Sequence, residues 1–466
     1  MIEIVAIDTP ELGDRSYLAI DGAVALVVDP QRDIDRVLAA AAARGAAITD
    51  VFETHIHNDY ISGGLALARQ TGAAYHVSAE DDVAFDRDKI ADGDEVAAGE
   101  SMRVRAIATP GHTFTHLSYA LEDAGTSQTV AVFTGGSLLY GATGRPDLLG
   151  PEHAAALAAA QYASARRLAA LIPDGTSVFP THGFGSFCAA GPSGAGASSS
   201  PAGASTIGEE RRTNPVLTLD QERYVAGLLA SLDVYPAYYA RMAPANAAGP
   251  GAPDLALPAS ENAAQISSRI AAGEWVVDLR QRRAFAAGHV RGSLSFEFGD
   301  SLTTNLGWLI PWGTPLTLLG DTPDQIAAAQ RDLARIGIDH LAGAATGTAG
   351  EWAGTGRLAS YPVSDFAGLA AALQHQPVTI LDVRRPSEWA ASHIDGAVHV
   401  PLHELPARLH ELPRTAIWVH CQAGYRSSIA ASLLHAAGHD VTTVDDDYSQ
   451  AGKVGLPLTG NSASPD

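Results

Sequence analysis

Lysine is almost missing from this chain of 466 residues: only Lys89 and Lys453 carry it, and arginine supplies nearly all the positive charge. Acidic residues outnumber basic ones by 52 to 30, a formal charge of −22. That field repels nucleic acid and anionic membrane surfaces, so neither is expected as a partner. Cysteine is scarce too. Cys188 and Cys421 are too few for a disulfide framework and read as free thiols in a reducing compartment. No apolar run approaches the ~20 residues of a spanning helix. Met1 to Asp14 carries Glu3, Asp8, Glu11 and Asp14 without a basic stretch, so no secretory signal is expected and the expected location is the cytoplasm. The length leaves room for about two to four domains, each with its own core.

What is present begins with Thr54-His55-Ile56-His57-Asn58-Asp59-Tyr60, which follows the apolar residues Ile48, Val51 and Phe52. Two histidines and an aspartate leaving a strand end are placed where scaffolds present catalytic groups. Their nitrogens and oxygens are ligands that zinc and non-haem iron prefer. His112, in Thr109-Pro110-Gly111-His112, and His182, in Pro180-Thr181-His182-Gly183, each follow another apolar run at a turn. Three such clusters in order predict a metal site.

The constellation resembles the metallo-β-lactamase superfamily, whose motifs run T-H-x-H-x-D-H, a lone histidine, an aspartate and a last histidine. Within it the glyoxalase II and persulfide dioxygenase group is the branch it looks like. The resemblance implies an αββα sandwich over residues 1–188. Two positions depart from the pattern. Tyr60 stands where the third histidine belongs, and Gly136, in Thr134-Gly135-Gly136-Ser137, replaces the aspartate. A dinuclear hydrolase needs both, so a mononuclear site is expected. The family's dioxygenases hold iron through two histidines and that carboxylate, a facial triad. With the carboxylate gone, the expected ligands are His55, His57 and His112, with Asp59 and His182 as further ligands or outer partners.

Residues 189–205 are rich in Ala, Gly, Ser and Pro and predict a flexible loop. Helical spacing returns over 206–248, expected to dock on the first domain, and 249–260 is a second linker. An internal repeat follows. Asp278 and Asp382, His289 and His393, and Gly292 and Gly396 each lie 104 positions apart. That period indicates duplicated domains, over 261–355 and 360–462, with βα alternation and parallel sheets.

In the second copy the apolar run to Val419 enters His420-Cys421-Gln422-Ala423-Gly424-Tyr425-Arg426-Ser427 and then a helix. Backbone N–H groups and the positive helix end favour a thiolate, and equally a persulfide anion. C-x-x-G-x-R-S downstream of L-D-V-R resembles the rhodanese (sulfurtransferase) family. A dual-specificity phosphatase loop needs one more residue between Cys and Arg. The first copy aligns Gly320 with Cys421, so it lacks a sulfur carrier and is expected to be structural.

Joined, the parts resemble persulfide dioxygenase–rhodanese fusions. That resemblance implies oxidation of a low-molecular-weight thiol persulfide by O2 to sulfite at one Fe(II) per chain, with zinc the alternative metal. It also implies sulfane-sulfur transfer among persulfide, sulfite and thiosulfate through Cys421. Cys188, six residues after His182, is a candidate second thiol. Two other readings stay open: a metal-dependent thioester hydrolase with a sulfurtransferase domain, and a sulfur carrier with an inactive metal domain. A homo-oligomer is also left open.

Overall fold

The computed structural model describes residues 2–190 and 204–460. Most of the expected 189–205 loop lies outside them. The described chain forms two compact units, Met1–Pro253 with Leu333–Gly337, and Asp254–Asp332 with Ile338–Asp466. Among the described residues no helix is long and apolar enough to cross a membrane.

The first unit contains two six-stranded sheets. One runs Glu3–Thr9, Asp14–Asp21, Val24–Val28, Ala47–Phe52, Ala74–Ser78 and Asp88–Ile90; the other runs Ser205–Thr206, Ser177–Pro180, Gln128–Gly135, Leu117–Asp123, Met102–Ala108 and Glu95–Ala98. Strand alternation shows how they stack. Tyr17, Leu26 and Phe52 from one sheet share a core with Val104, Tyr119 and Phe133 from the other. Their neighbours Leu18, Val27 and Val51 turn to the opposite face, against Val37 and Leu65 of the flanking helices Asp35–Ala42 and Gly64–Thr71. Ala120 and Val132 likewise meet Ala165 and Leu168 of helix Ala154–Leu171. Successive side chains point to opposite faces of a strand, so both faces of each sheet are apolar and covered, which makes an αββα sandwich. The helices Ile207–Thr213, Gln221–Ala230 and Tyr239–Ala248 complete this unit.

The second unit holds two parallel sheets with one hydrogen-bond plan. In the first, Asp278 pairs Leu319 and the amide of Leu279 donates to the Leu319 carbonyl. In the second, Asp382 pairs His420 and the amide of Val383 donates to the His420 carbonyl. Gly320 and Cys421, the next residues, therefore occupy equivalent strand ends. The repeated motifs are internal struts. Arg280 holds Asp278 and donates to the Gly288 carbonyl, as Arg384 holds Asp382 and donates to that of Ser392. His289 donates to the Phe285 carbonyl and His393 to that of Trp389, each ring stacked on its partner.

Candidate metal centre and cysteine loop

Strand Ala47–Phe52 delivers the loop that carries His55, His57 and Asp59, and all three side chains are buried. His112 and His182 reach the same place from the ends of strands Met102–Ala108 and Ser177–Pro180. Each of three rings has its Nδ1 taken. His112 Nδ1 donates to the Arg145 carbonyl at 2.9 Å. His182 Nδ1 donates to Asp14 at 2.8 Å, with Asp59 at 3.1 Å. Thr54 donates its hydroxyl to Asp29, so its oxygen accepts from His55 Nδ1 at 2.9 Å. A neutral imidazole with Nδ1–H keeps its lone pair on Nε2. His55, His112 and His182 each offer a nitrogen to one point, all within 4.8 Å of one another.

That convergence fits a cation. His55 Nε2 and His182 Nε2 face each other at 3.3 Å, and His112 Nε2 is buried without a partner. Lone pairs pointed at each other repel unless a proton or a metal lies between them. Burial, followed by the neighbouring His182, pushes His112 down to about 3. It is therefore neutral near pH 7, as a ligand must be. At His182 burial is outweighed by the carboxylates of Asp59 and Asp14, which push it well up, so a metal there takes the place of a proton.

His182 joins His55 and His112 in one donor group, while His57, expected with His55 and His112, lies with Asp59 and His182 in another and with Asp29 and Glu53 in a third. The His57 Nε2 points between Asp29 and Glu53, 3.2 Å from each, with the Tyr60 hydroxyl at 3.0 Å and the Tyr60 ring stacked on it. Burial alone would push His57 down; the two carboxylates outweigh it and hold it at about 9. Its Nδ1 is buried without a hydrogen-bond partner. Asp59 and His182 do lie together, with His57, in a second donor group, so Asp59 remains beside the triad.

Gly136 makes room for the triad. A Cβ there would lie 2.6 Å from His112 Cγ, and one at Gly144 would lie 2.6 Å from His112 Nδ1. The His112 ring fills the space a side chain at 136 would need.

Several partners gave no sequence signal. Asp29 follows strand Val24–Val28 in a left-handed conformation, φ +50°, and accepts from the Thr54 amide, the Thr54 hydroxyl and the Thr181 hydroxyl. Such a conformation is uncommon for a non-glycine residue. Asp14, pushed up to about 8 by burial and Asp59, backs His182. His116 accepts from the Gly136 amide at 3.0 Å. Asn246 donates to the carbonyls of His57 and Tyr60 and accepts from the Ser62 amide. The nearest available clue was Asp29-Pro30 closing an apolar run.

Cys188 is fully buried near Asp59 and Asp14, and burial with these two carboxylates pushes its thiol well up. A thiol kept protonated is a poor nucleophile, which opposes the second-carrier role.

In the second unit, Cys421 ends strand Ile417–His420 and is 2% exposed. Its thiol lies 3.7 Å from the Ser427 hydroxyl. Gly424, φ +88°, turns the chain into helix Tyr425–Ala436, whose first amides have no intrahelical acceptor. Strand, cysteine and helix follow one another as expected, and the loop side chains have these surroundings. Gln422 and Ala423 are exposed. Arg426 is bound by both oxygens of Glu388, at 2.6 and 2.7 Å. Tyr425 donates to the Glu297 carbonyl. Ser427 donates within reach of the Gly424 and Val444 carbonyls. The Ser427 hydroxyl lies within hydrogen-bond reach of the sulfur, and the Arg426 charge also acts on it. In the first repeat, a Cβ at Gly320 would lie 2.8 Å from Gln325 Oε1, so a glutamine closes that loop.

Residues 15–182 match the metallo-beta-lactamase superfamily, and residues 366–451 match the rhodanese-like domain family. The hydroxyacylglutathione hydrolase of Synechococcus sp. (strain JA-3-3Ab) is 32% identical over 219 residues, 43% of this chain and 81% of that protein. This chain belongs to the metallo-β-lactamase superfamily. Its superfamily fold is followed by a rhodanese-like α/β domain. The hydroxyacylglutathione hydrolase of Polaromonas sp. (strain JS666 / ATCC BAA-500) is 31% identical over 163 residues, and the chain spans only 57% of that relative. Among solved structures, a metallo-beta-lactamase from Staphylococcus aureus subsp. aureus COL is 25% identical with a TM-score of 0.64, covering 74% of this chain and 99% of that one. The superfamily fold implies a metal, and the His/Asp cluster of this chain could hold one.

Proposed function

We propose that this chain oxidises a low-molecular-weight thiol persulfide at a single iron held by His55, His112 and His182, and moves sulfane sulfur through Cys421. What supports the reading is the convergence of His55, His112 and His182 on one point, with Gly136 and Tyr60 where the family's second-metal ligands belong, in the same chain as a cysteine between a strand and a helix start. Iron bound there would supply the redox chemistry that combines O2 with sulfur. Thiol persulfide, O2 and one water give sulfite, the free thiol and two protons. The chain's own residues fix the histidine tautomers through Arg145, Asp14 and Thr54.

At the second site the Cys421 thiolate attacks the outer sulfur of thiosulfate; the S–S bond breaks, sulfite leaves and a Cys421 persulfide remains. A thiol or cyanide then takes the outer sulfur and restores Cys421. The first repeat is a rhodanese-like copy without a sulfur carrier, and acts structurally.

The names of the curated relatives favour thioester hydrolysis instead. The missing second-metal ligands oppose that reading. Oxygen uptake separates the two: with iron supplied and glutathione persulfide as substrate, consumption of O2 with sulfite as product is expected. Turnover of an acylglutathione thioester without O2 uptake would replace the proposal with the hydrolase.

A further inference from the structure

The loop that carries Cys421 is braced from outside its own domain. Asp445 directly follows strand Val441–Val444, and its carboxylate lies against Gly424, where any Cβ would collide with Asp445 Oδ1. Its side chain is 5% exposed, and two cations hold it: Arg282 Nε donates to Oδ1 at 2.8 Å and Arg283 Nε donates to Oδ2. Both arginines belong to the repeat without cysteine. Arg282 also donates to Glu297 Oε2 at 2.7 Å, and the Glu297 carbonyl accepts from the Tyr425 hydroxyl at 2.8 Å. Helix Arg282–Ala287 and residue Glu297 thus grip the active loop at its glycine and at its first helical residue. Ser427, beside the sulfur, bonds back to Gly424 and Val444.

We infer that Arg282 and Arg283 are positioning residues for Cys421: they hold the Asp445 carboxylate out of the anion cradle, so that the loop amides stay free for the sulfur anion. The inference rests on reading Cys421 as a sulfur carrier. The physical reason is competition. A buried carboxylate needs compensating donors. With both guanidinium groups gone, those within reach of Asp445 are the amides at Gly424 and the helix start, the donors a thiolate or persulfide requires. The titratable and charged groups around the loop include Arg426 with Glu388, His420 and Arg384 with Asp382, and Asp445 and Glu297 with Arg282, Asp445 also with Arg283. The last set draws its cations from the other repeat, which assigns that repeat a task although it carries no sulfur.

The test uses the full chain and two readouts: thiocyanate formation from thiosulfate and cyanide, and the pH profile of Cys421 alkylation by iodoacetamide, located by mass spectrometry. In Arg282→Ala/Arg283→Ala, the alkylation profile should move to higher pH by about one unit, and kcat/KM should fall about tenfold. Adding Asp445→Asn should reverse the alkylation shift, because it removes the competing charge and keeps the shape. A profile unmoved in the double variant, with unchanged secondary structure and melting, would overturn the inference. So would a shift that Asp445→Asn fails to reverse. If the double variant does not fold, the single variants Arg282→Ala and Arg283→Ala take its place: a displaced profile in either supports the brace, and native profiles in both overturn it. A native chain that makes no thiocyanate, yet shows the shift and its reversal, sinks the sulfurtransferase reading and leaves the brace standing.

Discussion

Position 136 carries no side chain, and the His112 ring occupies the space one would need. Gly136→Ala should therefore displace His112 and lower metal affinity by about 10–100-fold, the usual cost of disturbing the groups around a ligand. Metal titration of the purified variant checks this, and binding at native strength would show that the ring can move aside. Gly136→Asp, which restores the family's carboxylate on paper, meets the same obstacle. A second residue-scale prediction concerns pH. Burial would raise Glu388, but the hydrogen bonds and charge of Arg426 outweigh it and hold the carboxyl at about 2, against an ordinary 4.5. A depressed carboxyl stabilises the fold fully above its unfolded value and loses that contribution as pH falls through its folded one. The pair's contribution, on the order of 2 kcal/mol after solvent screening, should fade between about pH 4.5 and 2. In Glu388→Gln the stability of the second unit should be lower at neutral pH and flatter across that window, as denaturant melts at a series of pH values would show.

At the scale of elements, helix Tyr239–Ala248 does more than close the first unit. Asn246 satisfies two carbonyls and one amide of the histidine loop, so its removal leaves three buried backbone groups unpaired. Asn246→Ala should destabilise the unit by about 2–4 kcal/mol and weaken metal binding with it. Calorimetry of the metal-free and metal-loaded chains measures both. The sequence located the strand ends and their histidines because apolar alternation and turn residues are local signals. It could not say which ring nitrogen faces the centre. That choice depends on Asp14, 168 positions from His182, and on Asp29, which lies between strand and loop. His57 shares the spacing of His55, while the carboxylates that hold its Nε2 are set by the fold. Cys421 was legible because strand, cysteine, glycine and helix are consecutive. Arg426 is legible as a charge beside the thiol, but its carboxylate partner Glu388, 38 positions earlier, is set by the fold. The Arg282–Asp445 brace, spanning 163 positions, left no trace in the sequence.

For the whole molecule, the account joins two chemistries in one chain and makes them separable. Cys421→Ser should abolish thiocyanate formation and leave persulfide-dependent oxygen uptake near the native rate; His112→Ala should do the reverse. Loss of both activities in either variant would mean that the sites do not work independently. Underneath that lies the claim that one metal sits on three histidines and that His57 is not among them. Metal analysis of the iron-reconstituted chain and its single variants tests it most directly. The account predicts one iron per chain, lost in His55→Ala, His112→Ala and His182→Ala, and kept in His57→Asn. Two metals per native chain, or an iron that survives His182→Ala and disappears with His57→Asn, would contradict it.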